Sequence, residues 1–339
     1  MKPAIALIGL GMAVTPHAKG LLDLADQVRV AHAFSPSAAR RDTFGHKFPF
    51  PLADRLETIL DDPAVTAVAI LSPANTHLEV ARRAAQAGKH VLLEKPIEIT
   101  TARAEELVRT CRDAGVTLGI VLQHRFRPAA QRLAGLLAEG ALGQIVGCST
   151  AVRLWRAQSY YDEPGRGSMA RDGGGVLMSQ AIHTLDLMLS LTGPIAEVRG
   201  FTATTPVHRM ETEDLVCAAV RYANGALGTI DATTAAFPGN PERIELIGTR
   251  GTAALAGTAL AVRLHDGTAI DMAADPHAGG TGANPMAFAH DYHRAVLADF
   301  IQAITTGGQP RVTGEEALKV HRLIDALIEA GRSGASVRL

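Results

Sequence analysis

Two stretches of this 339-residue chain hold side chains that can do chemistry. In His90-Val91-Leu92-Leu93-Glu94-Lys95-Pro96, an apolar run of strand type delivers an acid and a lysine to its end. Pro96 cannot donate to a ladder, so the strand stops there. Ligands of open α/β sheets bind outside the carboxyl ends of the strands, where Lys95 falls; for Lys-Pro alone, an exposed lysine at a strand–turn boundary is the plainer reading. The second stretch is Arg171-Asp172-Gly173-Gly174-Gly175, followed by Val176 to Asp186. Its glycines permit close backbone approach to a ligand. Ser179 and His183, four apart, project from one face of the helix that follows. Asp186 is placed to hold the His183 imidazole or to face a sheet. A histidine titrates near neutral pH and suits proton transfer, while on an apolar helix it also serves simply as core.

The elements before Lys95 alternate. Ala4–Ile8 is apolar throughout, as a strand buried on both faces should be. It runs into Gly9-Leu10-Gly11-Met12-Ala13-Val14 and a helical segment carrying His17. Strand, glycine-rich turn and helix form the context in which a GxG turn approaches a pyrophosphate, with the phosphate on the helix N-terminus. Val14 stands where a third glycine is usual. The second strand, Val28–Phe34, ends in Phe34-Ser35-Pro36 with no carboxylate to read a ribose 2′-hydroxyl. Arg40 and Arg41 follow. A hydroxyl with nearby arginines suits a 2′-phosphate and favours NADP over NAD; a solvated helix face is the other reading of the two arginines. Strand Val65–Leu71 ends in Ser72-Pro73-Ala74-Asn75-Thr76-His77, where Thr76 or Asn75 can cap the next helix. Helix Thr101–Ala114 and strand Thr117–Leu122 complete a doubly wound parallel sheet of Rossmann type over residues 1–122.

From 123 to 339 the rhythm changes. Strands are predicted at 144–154, 195–204, 215–222, 226–234, 243–248, 252–256 and 259–265, with hairpin turns at Asn224-Gly225 and Asp266-Gly267. Helices are predicted at Ala129–Glu139, Val176–Thr192, Asn284–Thr306 and Gly314–Ala330. Strands that follow one another without helices argue a largely antiparallel sheet in an α+β domain. Residues 274–283, rich in Gly and Ala, read as a mobile loop.

Composition narrows the function. A net charge of −1 and 4% aromatic residues offer neither a basic stripe nor stacking platforms for nucleic acid. Three widely spaced cysteines suggest neither a disulfide framework nor a zinc site, and fit a reduced, cytoplasmic setting. The first apolar run is too short for a signal peptide or a membrane span. His290 and His293 are three apart, but no third ligand is apparent, so no metal is expected.

Taken together, the GxG turn, His17, Ser72 to His77, Glu94-Lys95-Pro96, and the glycine triplet followed eight residues later by His183 resemble the glucose–fructose oxidoreductase/inositol dehydrogenase (Gfo/Idh/MocA) family. Similarity extends to Asp299-Phe300 and Val312–Leu327. The resemblance implies an N-terminal Rossmann domain and a C-terminal domain with an open sheet, through which members pair as dimers or tetramers. It implies NAD(P)-dependent oxidation or reduction of sugars and cyclitols, with Lys95 and His183 as the catalytic pair. Oxidation of a secondary alcohol needs a base for the hydroxyl proton, which His183 suits, and a cation for the developing alkoxide, which Lys95 suits. Gly9, Gly11, Met12, Ala13, Ser35, Arg40, Ser72, Pro73, Asn75, His77, Glu94, Lys95 and Gln123 are the expected cofactor contacts, with Glu94 orienting Lys95 or touching the ribose. Many members carry an Asp four residues before the histidine; here it is Ser179, which supplies no negative charge and with Gln180 looks like a substrate-binding pair.

The run Arg153-Leu154-Trp155-Arg156-Ala157-Gln158-Ser159-Tyr160-Tyr161 is similar to that of UDP-N-acetyl-glucosaminuronic acid 3-dehydrogenases, and points to an acidic or nucleotide-linked sugar. The expected substrate contacts are Arg153, Trp155, Arg156, Tyr160, Tyr161, Asp172, Ser179, Gln180 and His183, with His124 and Arg125 lining the same cleft. Two other functions fit the resemblance less well. A non-catalytic dinucleotide sensor would not need Lys95 and His183, and a redox-assisted glycoside hydrolase binds NAD, whose strand-two carboxylate is missing here.

Overall fold

The computed structural model describes residues 2–276 and 289–339. The loop expected at 274–283 and the start of the helix expected at Asn284 lie largely outside the described residues. In chain order the elements are β1 Ala4–Ile8, α1 Val14–Asp23, β2 Arg29–Phe34, α2 Ala38–Gly45, β3 Leu52–Ala53, α3 Glu57–Leu60, β4 Ala67–Ile70, α4 His77–Gln86, β5 His90–Glu94, α5 Thr101–Asp113 and β6 Leu118–Val121. Then come α6 Pro128–Ala138, β7 Ile145–Arg153, α7 Gln158–Tyr161, α8 Met169–Asp172, α9 Ile182–Thr192, β8 Ile195–Ala203, β9 Leu215–Tyr222 and β10 Leu227–Thr233. The chain closes with β11 Arg243–Gly248, β12 Gly251–Ala256, β13 Ala259–Leu264, β14 Ala269–Met272, α10 Asp291–Thr306, α11 Gly314–Ser333 and β15 Val337–Arg338. These elements divide into two units, Met1–Gln123 with His290–Leu318, and His124–Ala289 with Lys319–Leu339.

The first unit is built on a six-stranded sheet of order β3-β2-β1-β4-β5-β6. Every pairing in it is parallel. All residues of β1 and of β4 are buried, as strands covered by helices on both faces must be. Caps set the helix starts: the Ser37 side chain accepts from Arg40 N–H at α2, and the Thr100 side chain from Arg103 N–H at α5. Strand order reverses between β1 and β4, which makes their carboxyl ends the switch point where such sheets bind ligands.

Segment 290–318 belongs to this unit and not, as the linear division at 122 implied, to the second. Its helix α10 buries Val296, Leu297, Phe300 and Ile301 against α1 and β6. His290 Nε2 reaches Asp23 Oδ2 at 2.7 Å, tying the start of α10 to the end of α1. Covering this apolar stripe is what draws the chain back.

The second unit carries a nine-stranded sheet of order β14-β13-β12-β11-β7-β10-β9-β8-β15. It is antiparallel throughout except where β7 and β10 run parallel, Gly147 opposite Leu227 through Arg153 opposite Thr233. Hairpins turn at Asn224-Gly225 and Asp266-Gly267, as the sequence predicts. Period-two alternation buries Cys148, Thr150 and Val152 of β7 with Ile244 and Leu246 of β11 on one face. Leu227, Ile247 and Phe201 stand exposed on other positions of the strands. The two-residue strands β3 and β15, and the short helices α7 and α8, have too little periodic pattern to be read in sequence.

Candidate active site

In the first unit, Gly9 ends β1 with φ +106°, and a Cβ there would stand 2.6 Å from the Leu71 carbonyl carbon and the Ser72 nitrogen. Only glycine allows the turns after β1 and β4 to come this close. Gly11 has open space where its Cβ would be. Helix α1 begins at Val14 with no side-chain cap at Ala13 and no acidic residue in its first turn. Met12 beside it is exposed.

Lys95 is half-buried at the end of β5. Glu94 turns back: Oε2 accepts the Lys95 backbone N–H at 3.0 Å and Oε1 meets His17 Nε2 at 2.8 Å. Burial alone would raise the Glu94 carboxyl, but the His17 hydrogen bond and the positive charge of its neighbourhood, that of Lys95 included, outweigh it, and it is held below the ordinary glutamate range. His293 of α10 packs edge-on against His17. His293 is thus grouped with His17 of α1 and Glu94 of β5, and no sequence spacing announces that grouping.

His77, expected on the cofactor, is instead an internal strut. It is fully buried, with Nδ1 3.1 Å from the carbonyls of Pro96 and Ile97 and Nε2 2.8 Å from that of Ser72. It joins the turn after β4 to the segment after Lys95. Burial pulls its pKa below the usual histidine value. Ser72 Oγ bonds Thr76 Oγ1 at 2.7 Å, while Pro73 and Asn75 are exposed at the same edge. At the end of β2, Ser35 is buried and its Oγ accepts Ser37 N–H. Arg41, not Arg40, grips the Ser35 carbonyl at 2.6 Å; Arg40 is exposed.

The second unit gathers some expected substrate residues and commits others elsewhere. Leu177–Ala181 is a π-helical turn leading into α9. Within it Ser179 Oγ donates to the Gly175 carbonyl at 2.5 Å and also bonds Gln180 Oε1, and Gln180 Nε2 donates to Tyr160 Oη at 3.2 Å. The Tyr160 ring lies under two guanidinium groups, Arg166 at 4.6 Å and Arg156 at 5.7 Å. No motif in the sequence marks Arg166, whose loop carries no periodic pattern. His183 is half-buried and stacks on His124, ring centroids 5.0 Å apart. Arg127 donates to His124 Nε2 at 2.7 Å and pairs with Glu242, which places the His124 proton on Nδ1.

Several of the expected site residues have partners within the protein. Asp186 takes both arms of the Arg125 guanidinium at 2.8 and 2.6 Å, so Arg125, an expected substrate contact, has a carboxylate partner within the protein. Gly175 approaches protein and not ligand, since a Cβ there would sit 1.8 Å from the Glu213 carbonyl oxygen. Glu213 also accepts from Gly175 N–H and Leu177 N–H, capping this helix start from within. Burial raises its carboxyl above the ordinary range, against those hydrogen bonds. Asp172 accepts from Gly167 N–H. Tyr161 is buried, bonds Thr234 and has its phenol pushed up to about 12 by burial. Arg153 pairs with Asp231 on the sheet, and Trp155 packs edge-on against Phe237.

Residues 4–121 match the model of an oxidoreductase family with an NAD-binding Rossmann fold, and residues 130–254 match that of the GFO/IDH/MocA C-terminal domain. The 1,5-anhydro-D-fructose reductase of Ensifer adhaerens is 31% identical over 84% of this chain and 83% of its own length. The chain belongs to the GFO/IDH/MocA oxidoreductase family. D-apiose dehydrogenase of Paraburkholderia graminis is 27% identical over 98% of this chain and 89% of its own. Among solved structures, the WlbA dehydrogenase from Bordetella pertussis in complex with NADH and UDP-GlcNAcA is 27% identical with a TM-score of 0.85, covering 100% of this chain and 99% of that one.

The residues present fit the dinucleotide that a GFO/IDH/MocA oxidoreductase binds. The uncapped α1 terminus behind Gly9 and Gly11 offers backbone N–H groups to a pyrophosphate. The buried amide oxygen of Gln123 has no hydrogen-bond partner among the described residues, so a ligand can supply the missing donor. Among the described residues no helix is long and apolar enough to cross a membrane.

Proposed function

We propose that this oxidoreductase transfers a hydride between a nicotinamide dinucleotide and a secondary alcohol of a sugar, sugar acid or cyclitol, with NADP(H) preferred. The observation that carries the reading is the dinucleotide-ready turn of Gly9 and Gly11 on the same parallel sheet whose β5 ends in Lys95. When bound, the nicotinamide supplies the hydride acceptor or donor. Gly9, Gly11 and Ala13 hold the pyrophosphate, Ser35 and Arg40 face the adenosine ribose and its phosphate, and Gln123 binds nearer the reacting end. His183 takes the hydroxyl proton in oxidation and returns it in reduction. Its stacked neighbour His124, fixed by Arg127 and Glu242, limits how the ring can turn. The Lys95 ammonium stabilises the developing alkoxide. Ser179 carries no charge, so it serves with Gln180 and Tyr160 as a hydrogen-bonded substrate contact and leaves proton transfer to His183.

Arg156 and Arg166 beside Tyr160 favour an acidic sugar, and the ligand named for the Bordetella structure supports the same class. The exposed apolar residues of the nine-stranded sheet, Leu227, Ile247 and Phe201, support pairing with a second copy as a dimer or tetramer.

Calorimetric titration with NADP(H) and NAD(H), then absorbance at the nicotinamide band with a panel of uronic acids, nucleotide sugars and cyclitols, tests the reading. Cofactor binding with turnover of one of these classes is expected. Lys95→Ala should lower turnover by at least about a hundredfold while the cofactor still binds. Binding of neither dinucleotide, or an active Lys95→Ala enzyme, overturns it.

A further inference from the structure

Behind Lys95 lies a buried cluster that hydride transfer does not itself require. His17 of α1 is fully buried, with Nε2 2.8 Å from Glu94 Oε1, and the other carboxylate oxygen accepts the Lys95 N–H at 3.0 Å. His293 of α10 stands edge-on to His17, centroids 5.1 Å apart and planes at 85°. A charged carboxylate in so buried a place needs donors, and these elements bring them from positions far apart in sequence.

Ligand atoms of His17, Glu94 and His293 lie within 4.8 Å of one another, close enough to share a cation or to form a hydrogen-bonded brace. The geometry favours the brace. A carboxylate only accepts, so His17 Nε2 carries the proton in its contact with Glu94, and a protonated nitrogen has no lone pair for a metal. Glu94 Oε2 is already engaged by a backbone N–H. The ammonium of Lys95 adds positive charge to the same neighbourhood, which disfavours a divalent ion.

We propose that His17 and Glu94 are positioning residues for Lys95: His17 pins the Glu94 carboxylate, and Glu94 fixes the Lys95 peptide and favours its charged ammonium, while His293 holds the His17 ring. The inference rests on the role assigned to Lys95 above. It stands on the contacts, and the electrostatics agree. Lys95 is among the charges that hold the Glu94 carboxyl down, and linkage is mutual, so the Glu94 anion favours the Lys95 cation. The groups facing this carboxylate are His17 from α1, His293 from α10 with His290 one turn earlier, His77 at the start of α4, and Lys95 itself. His290 is engaged with Asp23, and burial keeps His293 neutral.

Two measurements on the full chain test the brace. First, acetylation of Lys95 by acetic anhydride is followed against pH by mass spectrometry in wild type and in Glu94→Gln, an isosteric change. The Glu94→Gln protein should release its Lys95 proton at lower pH, with the rate at fixed pH rising about tenfold for each unit its pKa falls. Second, the alkaline limb of kcat should move to lower pH in Glu94→Gln. His17→Ala should lower kcat more than it raises KM for the cofactor. His17→Gln, whose amide can still donate to Glu94, should recover most of that loss.

An unshifted Lys95 titration in folded Glu94→Gln overturns the brace, as does His17→Gln no better than His17→Ala. A stoichiometric divalent ion in the purified protein, lost in Glu94→Gln, also overturns it. Acetylation needs no substrate, so it judges the brace by itself. A shifted titration in a protein that turns over none of the alcohols upholds the brace and overturns the hydride-transfer reading instead.

Discussion

Where a carboxylate would take the adenosine 2′-hydroxyl, the end of β2 offers Ser35, with Arg41 anchored on its carbonyl and Arg40 free to meet solvent or phosphate. Placing an anion there should repel a 2′-phosphate and accept a 2′-hydroxyl. Ser35→Asp is therefore expected to move the NADP-to-NAD ratio of kcat/KM toward NAD by about tenfold or more; an unchanged ratio would remove Ser35 from cofactor choice. His293 yields a prediction with a definite sign. Burial first, and then the charge of His17, lower its pKa from 6.5 to about 3. Between those values the unfolded chain takes up a proton there that the folded chain refuses, so stability falls as pH falls through that window and is unaffected above it. The decline in Tm from pH 6.5 toward 3 should be shallower in His293→Leu than in wild type.

Among the elements, the clearest division of labour is in the second unit, where long-range contacts replace local ones. The π-helical turn that leads into α9 is held by Glu213, from the segment before β9, and α9 itself by Arg125, just after the chain enters this unit. Asp186 is buried and doubly bonded to the half-buried Arg125, so removing the guanidinium takes two charge-assisted donors from a buried carboxylate. Arg125→Ala should cost about 3 kcal/mol in chemical denaturation, and adding Asp186→Ala should cost less than the sum of the single changes. Additive losses would mean that the pair is not coupled. The same contacts give Asp186 a partner that sequence spacing does not announce. An i, i+3 relation to His183 says that the two can meet on a helix, but says nothing of a guanidinium from another element that binds the carboxylate.

For the whole molecule, the open sheet sets the expectation. Leu227 and Ile247 both stand opposite Gly147 in the strand register, at 55% and 53% exposure, so they share one face across β10, β7 and β11. Apolar side chains aligned on an uncovered sheet face invite a partner surface. The double change Leu227→Arg, Ile247→Arg should convert the proposed dimer or tetramer to monomer in light scattering, with the fold retained by circular dichroism. An unaltered mass would place the association elsewhere or remove it.

Local pattern by itself determined a good part of this protein. Continuous apolar runs make β1, β4 and β5, alternation makes β7 to β13, and Gly9, Asn224-Gly225 and Asp266-Gly267 mark turns, because each depends on neighbours a few residues away. The placement of Lys95 at a strand end followed from one apolar run and one proline. Tertiary structure alone decided what those residues touch. His17 and His293 meet Glu94 from helices that begin and end the first unit, His77 serves carbonyls and not a ligand, Glu213 fills the space that the glycine triplet leaves, and 290–318 returns to the parallel sheet. Such contacts join side chains across long stretches of chain, and they are chosen by the burial of whole helical faces and the neutralisation of buried charge, which no local spacing encodes.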